Sequence, residues 1–245
     1  MTNNRQQTSI ILVEPQMGEN IGAAARAMFN FGMTDLRLVC PRDGWPNIEA
    51  ERNAAGALEQ NCVNVTIYST LEDAIADLQF VLATTARPRD MVKPVFTPDS
   101  ASAEVLKKSL ASGIIFGGER AGLTNDHIAR TQGIITIPTN PGFSSLNLGQ
   151  SVLLACWELF KAQNQTGTSQ ENLNHNNIPV TQDKLEEFFI RLENELSSTG
   201  FFKSEGLKPT MIRNIRSIFT RAELTDQEVR TLHGIISSLL RRHEK

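Results

Sequence analysis

The chain has 245 residues, 40% of them hydrophobic, with 24 Lys and Arg against 27 Asp and Glu for a formal net charge of -3. That length and apolar content suit one large α/β domain plus a small second one, and they exclude a disordered chain. The slightly acidic balance excludes a molecule drawn to nucleic acid as a whole, so any RNA-binding surface must be local.

The opening "MTNNRQQTSI" is polar and lacks the apolar core of a signal peptide. No stretch reaches the roughly 20 apolar residues of a membrane span, so a cytoplasmic protein with no membrane partner is expected. Runs at 10–15, 36–41, 65–70, 80–86, 113–119 and 133–139 are rich in β-branched residues and mostly apolar throughout, the pattern of parallel strands covered on both faces. Helical patterns fall at 20–32, 48–59, 71–78, 101–111, 124–131 and 146–162. Such alternation predicts a Rossmann-like, doubly wound α/β fold for residues 1–162.

Residues 163–180, "QNQTGTSQENLNHNNIPV", hold little to bury and read as a flexible linker. A small all-α module is expected over 181–245, with three amphipathic helices. The third opens on the capping box "TDQE" at 225–228. Cys40, Cys62 and Cys156 are widely separated and predict reduced thiols in or near the core. His127, His175, His233 and His243 never stand at ligand spacing, which predicts no metal site.

In a doubly wound sheet, ligands bind beyond the carboxyl ends of the strands. The first strand is followed by "EPQMGENIGAAAR", without the G-x-G-x-x-G turn of a dinucleotide site. Asn20 and Gly22 there serve either a ligand or simple capping and close packing. Arg26 stands among alanines and can reach an anion. After the fourth strand come Thr84 and Thr85, with hydroxyls to expose, then Arg87 and Arg89. After the fifth, "GGERAGLTN" offers glycines that permit close backbone approach, with Glu119 at the rim. After the sixth, "IPTNPGFSSLN" places Ser144 and Ser145 where a helix begins, either as an N-cap or as site residues. The helical stretch 208–222 carries Lys208, Arg213, Arg216 and Arg221 and no acid. It is either a phosphate-contacting strip or a solvated face.

"NIGAAAR" (20–26), "FGGERAGLTN" (116–125) and "IPTNPGFSSLNLGQS" (137–151) resemble, in order, the three motifs of the SpoU-type SPOUT RNA 2'-O-methyltransferases. The likeness runs from about Ile10 to Phe160. The tail resembles the extension of members that methylate cytidine or uridine in tRNA at nucleotide 32 of the anticodon loop. The resemblance implies a trefoil knot near the end of the large domain, a homodimer, tRNA as partner and S-adenosyl-L-methionine as cofactor, with S-adenosyl-L-homocysteine as product. By motif position, Thr84, Thr85, Ala86, Gly117, Ile137, Ser144, Ser145 and Leu146 would line the cofactor pocket. Arg26, Glu119, Ser145, Asn147 and Asn20 would form the catalytic group, and Arg26, Arg87, Arg213 and Arg216 would contact RNA. Three readings compete: a sibling acting on another tRNA or rRNA nucleotide, a non-catalytic RNA-binding protein, and a serine hydrolase. The last fails because Ser145 lies in "FSSLN" rather than G-x-S-x-G.

Overall fold

The computed structural model describes residues 8–59, 62–87, 91–165, 178–204 and 206–240. Within them a seven-stranded sheet runs in the order β3-β2-β1-β6-β4-β7-β5, with every pairing parallel. Its strands are β1 (Ser9–Val13), β2 (Asp35–Val39), β3 (Asn64–Tyr68), β4 (Phe80–Thr84), β5 (Val95–Phe96), β6 (Ser112–Gly117) and β7 (Gly133–Ile135). The helices of the large domain are α1 (Gly18–Asn30), α2 (Ile48–Ala54), α3 (Leu71–Ile75), α4 (Pro98–Lys108), α5 (Asn125–Ala129) and α6 (Leu148–Gln165).

Side chains alternate across each strand, so both faces must be covered. Ile10, Leu12, Leu36, Leu38, Leu82, Ile114 and Phe116 bury themselves with residues of α1, α2, α4 and α6. Ile11, Val13, Val39, Val81, Ala83 and Ile115 turn the other way, toward α3 and α5. This is the doubly wound fold that the apolar runs predict.

Three details differ from expectation. The strands end at Val13, Val39, Tyr68, Thr84, Gly117 and Ile135, short of the predicted runs; past β1 and β2 the chain turns out of the sheet at Glu14 and Cys40, whose φ values are 51° and 45°. β5 was not expected: Pro94 and Pro98 flank it, and proline is tolerated at a sheet edge, where β5 pairs with β7 alone. The interval 163–180 is shorter as a linker than its composition suggests. α6 runs through Gln165, and Pro179 and Val180 bridge to Thr225 and Leu224, with Val180 buried. Residues 166–177 lie outside the described residues.

The tail forms α7 (Gln182–Ser198), α8 (Lys208–Arg221) and α9 (Asp226–Leu240). Leu185, Phe188, Phe189 and Val229 make its core, with Phe219 edge-on to Phe188 at 5.0 Å. The box at 225–228 closes as predicted: Thr225 Oγ1 accepts from Glu228 N–H at 3.3 Å and Thr225 N–H donates to Glu228 Oε2 at 2.8 Å. The module docks on the α3 and α5 side. Gln182 N–H donates to Leu78 O, Asp183 N–H to Ala76 O, and Lys108 pairs with Glu223.

Candidate active site

β1 leaves the sheet through Glu14, whose φ of 51° turns the chain toward α1. That helix starts at Gly18 after Met17, and no side chain of its own caps it. Its free N–H groups and partial positive charge call for an anion. Glu119 supplies it from the loop after β6. Its carboxylate accepts from Gln16 N–H at 2.8 Å, Met17 N–H at 3.3 Å and Asn20 Nδ2 at 2.6 Å.

The glycines before Glu119 make this reach possible. A Cβ on Gly118 would lie 2.3 Å from Glu14 O, and one on Gly117 would lie 2.3 Å from the carbonyl carbon of Gly122. Gly118 and Gly122 bridge across the loop, with Gly122 at φ +65°. The freedom that sequence reasoning assigned to ligand approach is thus used to fold this loop onto the end of β1.

The third motif joins the same chain of bonds. Asn147 Nδ2 donates to Asn20 Oδ1 at 2.8 Å, while its Oδ1 accepts from Gln150 N–H at 3.3 Å. α6 therefore begins at Leu148 with Asn147 at its cap, two residues later than expected. Ser144 and Ser145 do not cap it. They stand exposed with Leu146 half-buried behind them, and none of the three makes a hydrogen bond among the described residues. Gly149, which sequence reasoning did not include among the site residues, is needed here. A Cβ on it would stand 2.8 Å from Ala23 Cβ, so only glycine lets the start of α6 cross α1 this closely. Its signal was a glycine in the first turn of an otherwise good helix.

Arg26 lies six residues beyond Asn20, about 9 Å along α1. It is exposed, and no partner holds it among the described residues. Thr84 and Thr85 differ from expectation, since their hydroxyls are occupied. Thr84 Oγ1 donates to Ile115 O at 2.9 Å, and Thr85 Oγ1 accepts from Arg87 N–H at 3.1 Å. Ala86 and Arg87 are exposed beyond them, and Arg89 lies outside the described residues. Ile137 is half-buried in the extended segment after β7. β6, β4 and β7 are consecutive in the sheet, so their carboxyl ends, at Gly117, Thr84 and Ile135, form one rim.

In the basic strip of α8, the three arginines do not survive as a phosphate surface. Arg216 is 7% exposed, bonded to Glu193 at 2.7 Å and Glu186 at 2.6 and 3.0 Å, and it lies over the Phe189 ring. Those carboxylates come from α7, far off in sequence, and hold the guanidinium firmly charged although burial opposes it. Arg213 pairs with Asp126 at 3.2 Å, and Arg221 donates to Val92 O. The cysteines also separate. Cys156 is buried, with its thiol pushed up to about 12, Cys62 is half-buried, and Cys40 is exposed rather than near the core. Among the described residues no group of three His, Cys, Asp or Glu could hold a metal ion. No described helix is long and apolar enough to cross a membrane.

A parallel α/β sheet whose first, β6 and β7 loops are tied together at one rim matches the SpoU rRNA methylase family over residues 7–157, and the chain belongs to that family. Residues 183–245 match the C-terminal domain of the tRNA methyltransferase TrmJ. The chain is 36% identical to the tRNA (cytidine/uridine-2'-O-)-methyltransferase TrmJ of Citrobacter koseri, over 96% of each. It is also similar to the crystal structure of TrmJ from Z. mobilis ZM4, with a TM-score of 0.86 at 44% identity, over 95% of this chain and 98% of that one. The SpoU methyltransferase AviRb from Streptomyces viridochromogenes, solved with AdoMet, shares the fold. Its TM-score is 0.54 at 15% identity, over 67% of this chain and 60% of its own.

Proposed function

We propose that this protein methylates a ribose 2'-oxygen of tRNA with S-adenosyl-L-methionine, at the cytidine or uridine of nucleotide 32 in the anticodon loop. The observation that carries the reading is the chain Glu119–Asn20–Asn147, which ties three motifs into one rim and leaves Arg26 and Ser145 exposed on it. The match of the tail to a tRNA methyltransferase domain favours tRNA over rRNA and over a smaller sibling.

The cofactor fits what the rim offers. Ile137 and the 144–146 segment carry hydrogen-bonding groups that nothing described satisfies, and they stand at or beyond the strand ends, as Ala86 and Gly117 do. With the Thr84 and Thr85 hydroxyls and the Thr85 N–H and carbonyl already bonded within the protein, their share of the contact would be packing against the cofactor. Bound there, S-adenosylmethionine would supply a methyl group on a sulfonium, leaving S-adenosylhomocysteine. The protein's part is to position the ribose and accept the proton that leaves its hydroxyl.

Arg26 is the phosphate clamp in this reading. A guanidinium stays protonated in proteins, with a pKa above about 12, so it is a poor base but a good bidentate grip on the phosphate beside the target. Arg87, exposed at the next loop, extends that grip. Ser145, exposed in the loop before α6, has a hydroxyl with no partner among the described residues, and Glu119 holds Asn20 and the start of α1 in place. The family's trefoil knot, in the loops near the end of the large domain, belongs to the same proposal.

So does a homodimer. Phe31, Trp157 and Phe160 cluster with centroids 5.6 to 6.5 Å apart, and Phe29, Leu153, Leu154, Trp157 and Phe160 leave α1 and α6 with an exposed apolar face. Monomeric proteins seldom expose such a surface.

The test supplies labelled S-adenosylmethionine and total tRNA lacking 2'-O-methyl marks, then maps the label. Label on the ribose of nucleotide 32 is expected. Tight RNA binding without transfer would instead make this a non-catalytic binding protein. Arg26→Lys is expected to lose most activity with cofactor affinity nearly unchanged, and full activity in that variant would discard the clamp.

A further inference from the structure

The cations of the helical module are mostly consumed internally. Lys184 and Arg230 pair with Asp226, Arg191 bonds His233 and Ser237, and Arg213, Arg216 and Arg221 are occupied as described. Two remain whose nitrogen meets neither a carboxylate nor a carbonyl among the described residues: Lys203 and Lys208. Lys203 lies in the turn between α7 and α8 and Lys208 opens α8, within "TGFFKSEGLK", a stretch that the site above does not use. Glu205, its one acid, lies outside the described residues.

This turn also displays aromatic surface. Gly200, at φ +72°, ends α7, and Phe201 N–H returns to Leu196 O at 3.0 Å. That closure projects Phe201 outward, 47% exposed, with Leu207 61% exposed nearby. Phe202 meets Phe201 edge-on at 5.3 Å and so holds its ring, while Lys208 Nζ sits 5.5 Å from the Phe202 centroid. Rings interleaved with lysines that have no carboxylate partner among the described residues suit an unstacked base and its phosphates.

The position suits the reaction. Lys208 lines a cleft of about 780 Å³ together with Val13, Glu14, Val39 and Thr124. Glu14 is the residue against which Gly118 is packed, next to Glu119. Lys208, where the turn enters α8, therefore lies at the carboxyl end of the sheet, as the catalytic chain does.

We propose that the α7–α8 turn is a stacking platform for one unpaired nucleotide of the substrate RNA. Phe201 lies against the base, Phe202 buttresses it, and Lys203 and Lys208 face the flanking phosphates. The inference rests on the proposed RNA substrate and names a second place where that RNA is held.

The test uses the full chain and total tRNA lacking 2'-O-methyl marks, with affinity measured across a salt series. Phe201→Ala is expected to weaken binding about ten-fold, the loss of one stacked base, with unchanged S-adenosylmethionine affinity and oligomeric mass. Phe201→Trp restores binding, which a merely structural role for Phe201 would not predict. Lys203→Ala lowers the salt dependence by about one phosphate contact. Wild-type affinity in Phe201→Ala overturns the platform, as does a changed oligomeric mass at constant RNA affinity, which would mean that a second copy covers this surface. A wild-type protein that neither binds nor methylates tRNA defeats the functional reading itself, whereas equal binding by wild type and Phe201→Ala defeats the platform alone.

Discussion

Asn147 has two tasks that cannot be separated, capping α6 and holding Asn20. Asn147→Ala should cost about 1 kcal/mol for the lost cap, a fall in Tm of about 2–4 °C by calorimetry. Methyl transfer should fall by about ten-fold or more, since Asn20 is freed; an unchanged rate would separate the bond from the chemistry. Lys93 makes a different prediction. It is 8% exposed and donates to Ala129 O and Thr131 O, and burial, aided by the nearby charge of Arg221, lowers it to about 7. A neutral amine has two N–H groups, matching the two carbonyls. Between about 7 and the ordinary 10.5 the unfolded chain binds the extra proton, so stability should rise with pH across that window and level off below it. Urea midpoints from pH 7 to 10 should climb in the wild type and flatten in Lys93→Met; parallel profiles would refute the assignment. Asn20 and Glu119 were legible as rim residues, with Glu119 a candidate to orient Asn20 or Arg26, and Asn147 was legible by its motif. The bond from Asn147 to Asn20 was not, because it joins positions 127 residues apart.

Among the elements, the strands were read because a doubly covered sheet needs unbroken apolar runs. Their ends were overread, since the chain turns out of β1 and β2 through the positive φ of Glu14 and Cys40, which composition does not show. The start of α6 was misplaced because Ser144, Ser145 and Asn147 are all good caps, and only the bond to Asn20 selects among them. Helix packing yields a third prediction. A Cβ on Gly22 would lie 2.3 Å from Ala50 O and 2.8 Å from Asn53 Cβ. Gly22→Ala should thus force α1 from α2 at about 1–3 kcal/mol, despite alanine's better helix propensity. A Tm equal to or above wild type would show that the two helices move apart freely.

For the molecule as a whole, the covered and uncovered apolar faces decide assembly. The α3 and α5 side is closed by the helical module, whereas α1 and α6 present Phe29, Leu153, Trp157 and Phe160 to solvent. Trp157→Glu should place a charge in the proposed interface and convert a dimer to a monomer by light scattering, with methyl transfer lost alongside. A wild-type monomer would remove the dimer from the proposal. The basic strip at 208–222 shows why the module's surface was hard to read. Arg216 looked like a phosphate contact until Glu186 and Glu193, on another helix, enclosed it. A buried guanidinium is tolerable only with such partners, and losing them costs several kcal/mol.

By itself the sequence determined the alternation of strand and helix, the two-part organisation, the family and the three motifs, because periodicity and local spacing are written in consecutive residues. The tertiary structure decided which atoms those motifs present. It bonded the threonine hydroxyls to the backbone, spent the glycines on loop closure, gave Glu119 to the N-terminus of α1 and left Arg26 and Phe201 in solvent. The physical reason is that hydrogen bonding and desolvation depend on which distant groups arrive at the same place, and that is set by the fold rather than by neighbours in the chain.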